Sequence, residues 1–262
     1  MKYLFVGDVH NKLYIFDDVK KLDNKYKFDK IIFMGDYVDD WGTDNINSHI
    51  TLERVFELKN IYPNKFIFLI GNHELSYLGF PCSGHKFELD YIIAQELKDN
   101  IDSLDLFTIV ECDKRKYVCT HAGITNDYIH NVLGGEEHWE HILNDFNKDF
   151  NKGAVNPSAI TYLSMCGGYR GGIAPFSSFV WCDSRELVKC KDPIIPYQIV
   201  GHTPVPEIVC VNEDSYNYIF IDTHSTYRNG EPIGNKSYLI WNEDKFIMAE
   251  RDEQDEFKEV LL

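Results

Sequence analysis

Five short clusters of Asp, Asn and His residues lie along this chain, each directly after an apolar run of the kind that forms β-strands. Their carboxylate oxygens, amide oxygen and imidazole nitrogens are the ligand types that Mn²⁺, Fe and Zn²⁺ take in proteins. One such cluster alone is common at turns, where Asp and Asn cap helices. Five in order indicate a hydrolytic site built around two metal ions. The clusters are Gly7-Asp8-Val9-His10, Gly35-Asp36-Tyr37-Val38-Asp39-Asp40, Gly71-Asn72-His73-Glu74, His121-Ala122-Gly123 and Gly201-His202-Thr203-Pro204.

The chemistry of phosphate ester hydrolysis assigns roles to these side chains. Two divalent cations about 3.5–4 Å apart activate a water and clamp the phosphoryl group, and an anionic bridge is needed to hold them so close. We assign that bridge to Asp36. Asp8 and His10 are two residues apart, so in an extended segment both side chains point to the same side and would bind one metal. The ligands that remain for the second metal are Asn72, His121 and His202.

His73 is the candidate general acid of the site. It directly follows Asn72, so its side chain should point away from that ligand and toward the leaving-group oxygen. Such a histidine needs a carboxylate to fix its tautomer and raise its basicity. Asp39 and Asp40, in the loop after Asp36, are both candidates for this partner.

The elements that position these clusters alternate between strand and helix in the first part of the chain. Apolar runs predict strands at Tyr3–Val6, Lys30–Met34 and Lys65–Ile70, and helical spacing predicts helices at Leu13–Leu22 and Ile50–Tyr62. This rhythm indicates a largely parallel or mixed sheet covered by helices. Ligands of such sheets bind at the loops beyond the carboxyl ends of the strands, which is where the clusters lie.

The rest of the chain predicts a helical segment followed by short strands. Residues 124–162 read as helical and polar, and no linker divides the chain, so we expect one domain over residues 1–262 with a helical insertion at about 124–180. The acidic tail Glu250–Glu259 reads as a solvated surface segment. The other predicted elements are a helix at Glu88–Leu97 and strands at Phe107–Val110, Lys116–Thr120, Gln198–Val200, Glu207–Val211, Tyr218–Asp222, Lys236–Trp241 and Lys245–Glu250.

Composition excludes several classes of protein. The formal net charge of −16 disfavours binding to long nucleic acids, although bound cations would still admit a small phosphorylated substrate. No apolar run approaches the roughly 20 residues of a membrane-spanning helix. The cysteines form no CxxC pair and are odd in number, which favours free thiols in a reducing cytoplasm. They are Cys82, Cys112, Cys119, Cys166, Cys182, Cys190 and Cys210.

In their order along the chain and in their residue types, the five clusters resemble the motifs of the calcineurin-like metallophosphoesterase superfamily. The resemblance extends from Gly7 to about Thr223 and is closest to the phosphoprotein phosphatase branch, with its bacterial and phage serine/threonine phosphatases and diadenosine tetraphosphatases. It implies an α/β (α+β) fold, a four-layer α-β-β-α sandwich of mixed sheets flanked by helices. It also implies a hydroxide that bridges two metals and attacks phosphorus in line.

The resemblance carries residue roles onto this chain. One metal would be bound by Asp8, His10 and Asp36. The other would share Asp36 and add Asn72, His121 and His202. His73 would be the acid, paired with Asp39. These roles agree with those that the ligand chemistry assigns.

The departures from the family pattern concern phosphate recognition. The phosphatase branch has an arginine that binds the substrate phosphate where this chain has Asp40. A carboxylate cannot replace a guanidinium in that role. Arg185, near a tryptophan-containing segment, and Arg170, in a glycine-rich loop, are the candidates to replace it. A sixth cluster, Asp222-Thr223-His224, receives no ligand role.

These observations predict a metal-dependent phosphoesterase that acts on a phosphomonoester or a phosphoprotein (Ser/Thr). The cofactors would be two divalent metal ions, with Mn²⁺ as the first choice and Fe or Zn²⁺ as alternatives. The partner would be a phosphorylated protein, small phosphomonoester or nucleotide, and no membrane. A dinucleoside polyphosphate or other nucleotide hydrolase is the alternative function. A metal-bound scaffold without catalysis is a third hypothesis, which the intact His73 disfavours.

Overall fold

The structure is a computed structural model that describes residues 1–43, 45–80, 87–153, 157–190, 192–213, 215–252 and 256–262, with the backbone alone at 157–159. Cys82, one of the predicted free thiols, lies outside the described residues. Free thiols are found at Cys112, Cys119, Cys182, Cys190 and Cys210. No helix within the described ranges is both long and apolar enough to cross a membrane.

Strands and helices alternate in the first part of the chain, and strands dominate its last part. The strands are β1 (Tyr3–Val6), β2 (Lys30–Phe33), β3 (Phe66–Phe68), β4 (Phe107–Cys112), β5 (Arg115–Thr120), β6 (Tyr197–Val200), β7 (Val209–Glu213), β8 (Tyr216–Phe220), β9 (Tyr238–Asn242), β10 (Lys245–Arg251) and β11 (Phe257–Leu261). The helices are α1 (Tyr14–Tyr26), α2 (Asn45–Ile61), α3 (Asn72–Tyr77), α4 (Tyr91–Asp99), α5 (Asn126–Asn131), α6 (Trp139–Asn151), α7 (Pro157–Leu163) and α8 (Ser184–Leu187). Short 3₁₀ turns span Ile101–Ser103 and Gly168–Arg170.

The strands form two mixed sheets. The first has the order β11-β10-β9-β1-β2-β3, in which β1, β2 and β3 are parallel and the others antiparallel. The second has the order β4-β5-β6-β8-β7, in which β5, β6 and β8 are parallel. Shortly after each of these six parallel strands comes one of the five clusters or, after β8, the cluster Asp222-Thr223-His224, so the fold gathers the clusters at strand ends.

The alternation of side chains along β1 explains why the two sheets stack. Tyr3 and Phe5 enter a core between the sheets, whereas Leu4 and Val6 enter the core that helix α1 covers. A third apolar cluster, which includes Leu187 of α8, covers the outer face of the second sheet. Buried faces on both sides of the strands confirm the predicted α/β sandwich of two mixed sheets flanked by helices.

Several predicted boundaries differ from the observed ones. Helix α4 begins at Tyr91, after the predicted Glu88, because the Asp90 carboxylate accepts hydrogen bonds from the backbone N–H groups of Ile92 and Ile93 and caps the helix. Lys258 and Glu259 of the acidic tail are exposed, as predicted, and they belong to β11, which pairs with β10 at the edge of the first sheet. Helices α5 to α7 lie between β5 and β6, and the division into one domain with an insertion at 124–180 stays a prediction.

Candidate active site

His121 follows β5 and stands fully buried at the centre of the clusters. Its Nδ1 lies 2.7 Å from the Met34 carbonyl oxygen, and since a carbonyl only accepts, Nδ1 must carry the proton. The bare Nε2 then faces Asn72 Oδ1 at 3.0 Å and Asp36 Oδ2 at 3.3 Å. His202 Nδ1 is 3.1 Å away. Neither of the two oxygens carries a proton that it could donate to Nε2. A cation bound between these three atoms would satisfy a lone pair of each.

A second group of ligand atoms lies on the other side of Asp36. His10 Nδ1 lies 2.7 Å from the Asp39 carbonyl oxygen, so its Nε2 is the bare nitrogen. That nitrogen is 3.7 Å from Asp36 Oδ2 and 3.9 Å from Asp8 Oδ2. Asp36 Oδ1 accepts the backbone N–H of His73, which leaves Oδ2 between the two groups. The geometry therefore places Asp36 where a bridging ligand would be.

Two triads of residues each offer donor atoms that lie within 4.8 Å of one another, and both triads contain Asp36. One triad consists of His10, Asp36 and His73, and the other of Asp36, His121 and His202. The mixture of nitrogen and carboxylate oxygen suits a transition metal better than Ca²⁺. His202 Nε2 is buried and has no hydrogen-bond partner among the described residues, and its other nitrogen, Nδ1, faces His121 Nε2.

The loop after β1 corrects one step of the sequence argument. We expected Asp8 and His10 to converge because an extended segment points both to one side. The structure instead has His10 at φ 43° and Asn11 at φ 61°, in a left-handed turn. The turn is held by the Asp36 carbonyl, which accepts the N–H groups of Val9 and His10 at 3.1 and 2.7 Å. The two residues converge through this turn and not through strand periodicity.

Two glycines of the clusters are required by close approach of a carboxylate. A Cβ added to Gly71 would lie 2.0 Å from Asp36 Oδ1, and one added to Gly201 would lie 2.2 Å from Asp8 Oδ1. Both separations are far below van der Waals contact, so any side chain at these positions would displace a proposed ligand.

Glu74 is a positioning residue that the sequence argument missed. Its buried carboxylate accepts four backbone N–H groups, from Gly71 (2.9 Å), Asp36 (3.0 Å), Tyr37 (2.7 Å) and Val38 (3.1 Å). It thereby fixes the loop after β2 against the start of α3. An available signal was its position three residues after Gly71, where a glutamate commonly bonds back to the residue that precedes a helix.

The negative charges of the buried carboxylates repel one another. Burial raises the pKa of Asp8, and the carboxylates of Asp222 and Asp36 raise it further. Carboxylates packed this closely need compensating positive charge, which bound cations would supply.

The two imidazoles at the edges of the site favour the neutral form. Burial, with the nearby Arg170 guanidinium and the His121 ring, lowers the pKa of His202 well below its usual range. Burial also lowers the pKa of His10. A neutral imidazole keeps the lone pair that metal binding requires.

His73 is held by a carboxylate as expected, and the structure selects which one. Asp39 Oδ2 lies 2.9 Å from His73 Nδ1, and Tyr77 donates its hydroxyl to Asp39 Oδ1 at 2.7 Å. Burial lowers the pKa of His73, but the carboxylates of Asp36 and Asp39 outweigh it and raise the pKa to about 9. The structure thus brings Asp39 and not Asp40 to this ring.

Asp40 has a different set of partners. Lys12 donates to its Oδ2 at 2.7 Å, and Thr226 donates to its Oδ1 at 2.7 Å. The backbone N–H of Trp41 also bonds to Oδ1. At this position, where related phosphatases have a phosphate-binding arginine, the carboxylate instead ties Trp41 to two distant parts of the chain.

The two candidate arginines have different surroundings. Arg170 lines the cavity of the site, donates to the His202 carbonyl and Thr203 hydroxyl oxygens at 3.0 and 2.8 Å, and pairs with Asp183 at 3.0 Å. Arg185 also pairs with Asp183, but its side chain is 63% exposed and lies over Tyr169. The structure brings Arg170 to the site and places Arg185 outside it.

A cavity of about 230 Å³ opens over the two triads. Sequence reasoning missed Ser225 and Thr226 in its wall, because only folding brings the loop after β8 to this place. His224, which precedes Ser225, is not among the residues that line the cavity, and its Nδ1 lies 3.2 Å from the Tyr14 hydroxyl oxygen. The residues that line the cavity are His10, Asp36, Asp39, Asp40, Trp41, Asn72, His73, Phe87, Arg170, Trp181, His202, Pro204, Ser225 and Thr226.

A family model described as calcineurin-like phosphoesterase matches residues 1–206, which include every proposed metal ligand. The chain belongs to this family. Its members hydrolyse phosphoester bonds and generally bind two divalent metals, so this calcineurin-like phosphoesterase is a hydrolase of phosphorylated substrates. The family match confirms the resemblance that the five clusters indicate.

Solved structures share the fold at low sequence identity. A cold-active protein-tyrosine phosphatase of a psychrophilic Shewanella species is 14% identical with a TM-score of 0.60, and 98% of this chain and 80% of that chain are covered. A second structure of a cold-active protein tyrosine phosphatase is 15% identical with a TM-score of 0.56 and coverages of 98% and 78%. No curated protein sequence matches the chain significantly.

Proposed function

We propose that this phosphoesterase is a two-metal phosphatase that hydrolyses phosphomonoesters, of a protein or of a small molecule. One observation carries the proposal: Asp36 Oδ2 lies between the bare nitrogens of His10 and His121, at 3.7 and 3.3 Å. A carboxylate between two sets of lone pairs is the arrangement that holds two cations close together. We assign Asp8, His10 and Asp36 to one ion, and Asp36, Asn72, His121 and His202 to the other.

Divalent cations in these places would supply a nucleophilic water at neutral pH and offset the charge of the phosphoryl group. Mn²⁺ is our first choice because the donors mix imidazole nitrogens with carboxylate and amide oxygens, and Fe and Zn²⁺ are the alternatives. The protein contributes ligands whose protons point elsewhere, toward the carbonyl oxygens of Met34 and Asp39. Their nitrogens are therefore ready to bind without rearrangement.

Arg170 is the residue that we propose for binding the substrate phosphate, in place of the arginine that is missing at Asp40. Its guanidinium is anchored by Asp183 and by the carbonyl of the proposed ligand His202. An anchored guanidinium presents its remaining N–H groups in a fixed direction, which favours a tetrahedral oxyanion over water. Arg185 stays a weaker candidate because it lies outside the cavity.

His73 would donate the proton to the leaving-group oxygen. Its Nδ1 is fixed by Asp39, so Nε2 points toward the centre of the site, 3.8 Å from Asp36 Oδ2. The Tyr77 hydroxyl fixes Asp39 in turn. This chain of hydrogen bonds orients the ring before substrate binds, as general acid catalysis requires.

The size of the cavity is compatible with a monoester. Its enclosed part of about 230 Å³ is large enough for a phosphoryl group with a small leaving group. Because the cavity opens to solvent, a dinucleoside polyphosphate hydrolase stays the alternative function. The orientation of His73 disfavours a scaffold without catalysis, because a binding protein has no need of a prepared proton donor.

A substrate panel tests the proposal. The chain would be stripped of metal, reloaded with Mn²⁺, Fe²⁺ or Zn²⁺, and assayed on p-nitrophenyl phosphate, phosphopeptides, bis(p-nitrophenyl) phosphate and diadenosine tetraphosphate. We expect monoester hydrolysis that depends on added metal and at least tenfold lower kcat/KM on the diester and the dinucleotide. Preferred hydrolysis of diadenosine tetraphosphate would replace the proposal with the nucleotide alternative. Failure on every ester would refute it.

A further inference from the structure

The proton donor of the proposed site stands beside a pair of aromatic rings. The Phe87 ring lies 5.3 Å from the His73 ring, and Trp41 lies 4.6 Å from Phe87. Trp41 and Phe87 both line the cavity and are half-buried. We call these two residues the aromatic wall. It lines the cavity next to the His73 ring.

The wall is held in place by contacts that serve no proposed step of catalysis. The Asp40 carboxylate bonds to the backbone N–H of Trp41 and is itself fixed by Lys12 and Thr226. The Arg228 guanidinium lies over the Trp41 ring at 4.8 Å. Asp40 therefore fixes the backbone of Trp41, and Phe87 and Arg228 contact its ring.

We propose that the aromatic wall of Trp41 and Phe87 selects a phosphomonoester whose leaving group is an aromatic ring, that is, an aryl phosphate such as the side chain of phosphotyrosine. The inference rests on the proposed function and names its substrate class. An aromatic leaving group next to His73 gains offset or edge-on ring contacts with the wall. The side chain of phosphoserine or phosphothreonine offers no ring to make them.

The position of the wall distinguishes an aryl phosphate from a nucleotide. Because Phe87 packs against His73 itself, the contacted ring must be joined directly to the leaving oxygen. In a nucleotide, a ribose separates the phosphate from the base and would carry the base beyond this contact.

Two phosphonates separate aromatic recognition from turnover. Benzylphosphonate has the shape of phenyl phosphate with a methylene in place of the ester oxygen, and cyclohexylmethylphosphonate is its saturated counterpart. Both resist hydrolysis, so calorimetry on the Mn²⁺-loaded protein measures binding alone. We expect benzylphosphonate to bind roughly three- to tenfold more tightly, which is the range that aromatic pairs provide.

Variants of the aromatic wall test whether Trp41 and Phe87 cause the preference for benzylphosphonate over its saturated counterpart. Trp41→Leu and Phe87→Leu should each bring the ratio of the two affinities close to one. Tyr169→Leu, which removes an aromatic ring outside the cavity, is the matched control and should keep the ratio of the wild type. Unchanged binding of inorganic phosphate would show that the site is intact in each variant, and two wall variants guard against one that fails to fold.

The outcomes distinguish this inference from the proposed function. Equal binding of the two phosphonates by the wild type, or a preference that survives in both wall variants, overturns the aromatic wall as a selector. Tighter binding of adenosine monophosphate than of benzylphosphonate, lost on Trp41→Leu, overturns the aryl phosphate in favour of a nucleobase. A protein that shows the aromatic preference but hydrolyses no phosphomonoester supports the wall and contradicts the proposed function.

Discussion

Asp36 and Trp41 belong to the same loop after β2, yet their surroundings are built differently. Asp36 is almost completely buried, and its backbone is fixed by the Glu74 carboxylate. Trp41 is half-buried and is held by Asp40 and Arg228, the latter from the far end of the chain. The first region follows the family pattern residue by residue, whereas the second departs from it. The comparison shows that backbone hydrogen bonds hold the proposed bridging ligand, whereas side-chain contacts hold the aromatic wall.

The largest expected effect comes from removing the charge shared by the two triads. Asp36→Asn should lower kcat by about 10³-fold or more and should reduce the metal content, because an amide is a poor bridge between two cations. Metal analysis of the purified variant and a phosphatase assay measure both quantities. Asp145→Asn, an exposed aspartate on α6, is the control and should behave like the wild type. Full metal content in Asp36→Asn would remove Asp36 from the bridging role.

A second variant addresses the proton donor. His73→Asn should lower kcat by about 10²-fold or more while the metals stay bound. The loss should be larger for phosphoserine peptides than for p-nitrophenyl phosphate, because p-nitrophenolate leaves without a proton. The control is His49→Asn, a surface histidine of α2 that pairs with Glu96. An equal loss on both substrates would argue that His73 does not act as the acid.

The role of Arg170 in phosphate binding is tested by a matched pair of arginine variants. Arg170→Gln should raise KM for a phosphomonoester roughly 10- to 100-fold, since charge-assisted hydrogen bonds contribute about 1.5–3 kcal/mol. Arg185→Gln removes the same charge from a residue that shares Asp183 but lies outside the cavity. We expect its KM to change less than about twofold. An equal increase in KM in the two variants would contradict the assignment of phosphate binding to Arg170.

The smallest expected effect concerns the backbone constraint. Glu74→Gln should lower the free energy of unfolding by about 1–3 kcal/mol, because an amide oxygen cannot accept all four N–H groups. Urea denaturation of the metal-free variant measures this, and Glu53→Gln on the exposed face of α2 is the control. If Glu74→Gln were as stable as the wild type, the loop after β2 would owe its conformation to other contacts.

Sequence periodicity was enough to predict the strands and the clusters at their ends, because alternating buried residues and strand-end Asp or Asn are local signals. It could not predict how Asp8 and His10 converge, because the left-handed turn at His10 depends on the Asp36 carbonyl from another strand. Sequence periodicity also could not decide between Asp39 and Asp40, or between Arg170 and Arg185. Each choice depends on the distance to a residue far along the chain.

The central claim is that one carboxylate joins two cations, and electron paramagnetic resonance of the Mn²⁺-loaded chain tests it most directly. Two Mn²⁺ ions that share the Asp36 carboxylate would be magnetically coupled. The account predicts two ions per chain with a coupled spectrum in the wild type, and loss of the coupled signal in Asp36→Asn. A single bound ion, or two ions with uncoupled spectra in the wild type, would contradict it.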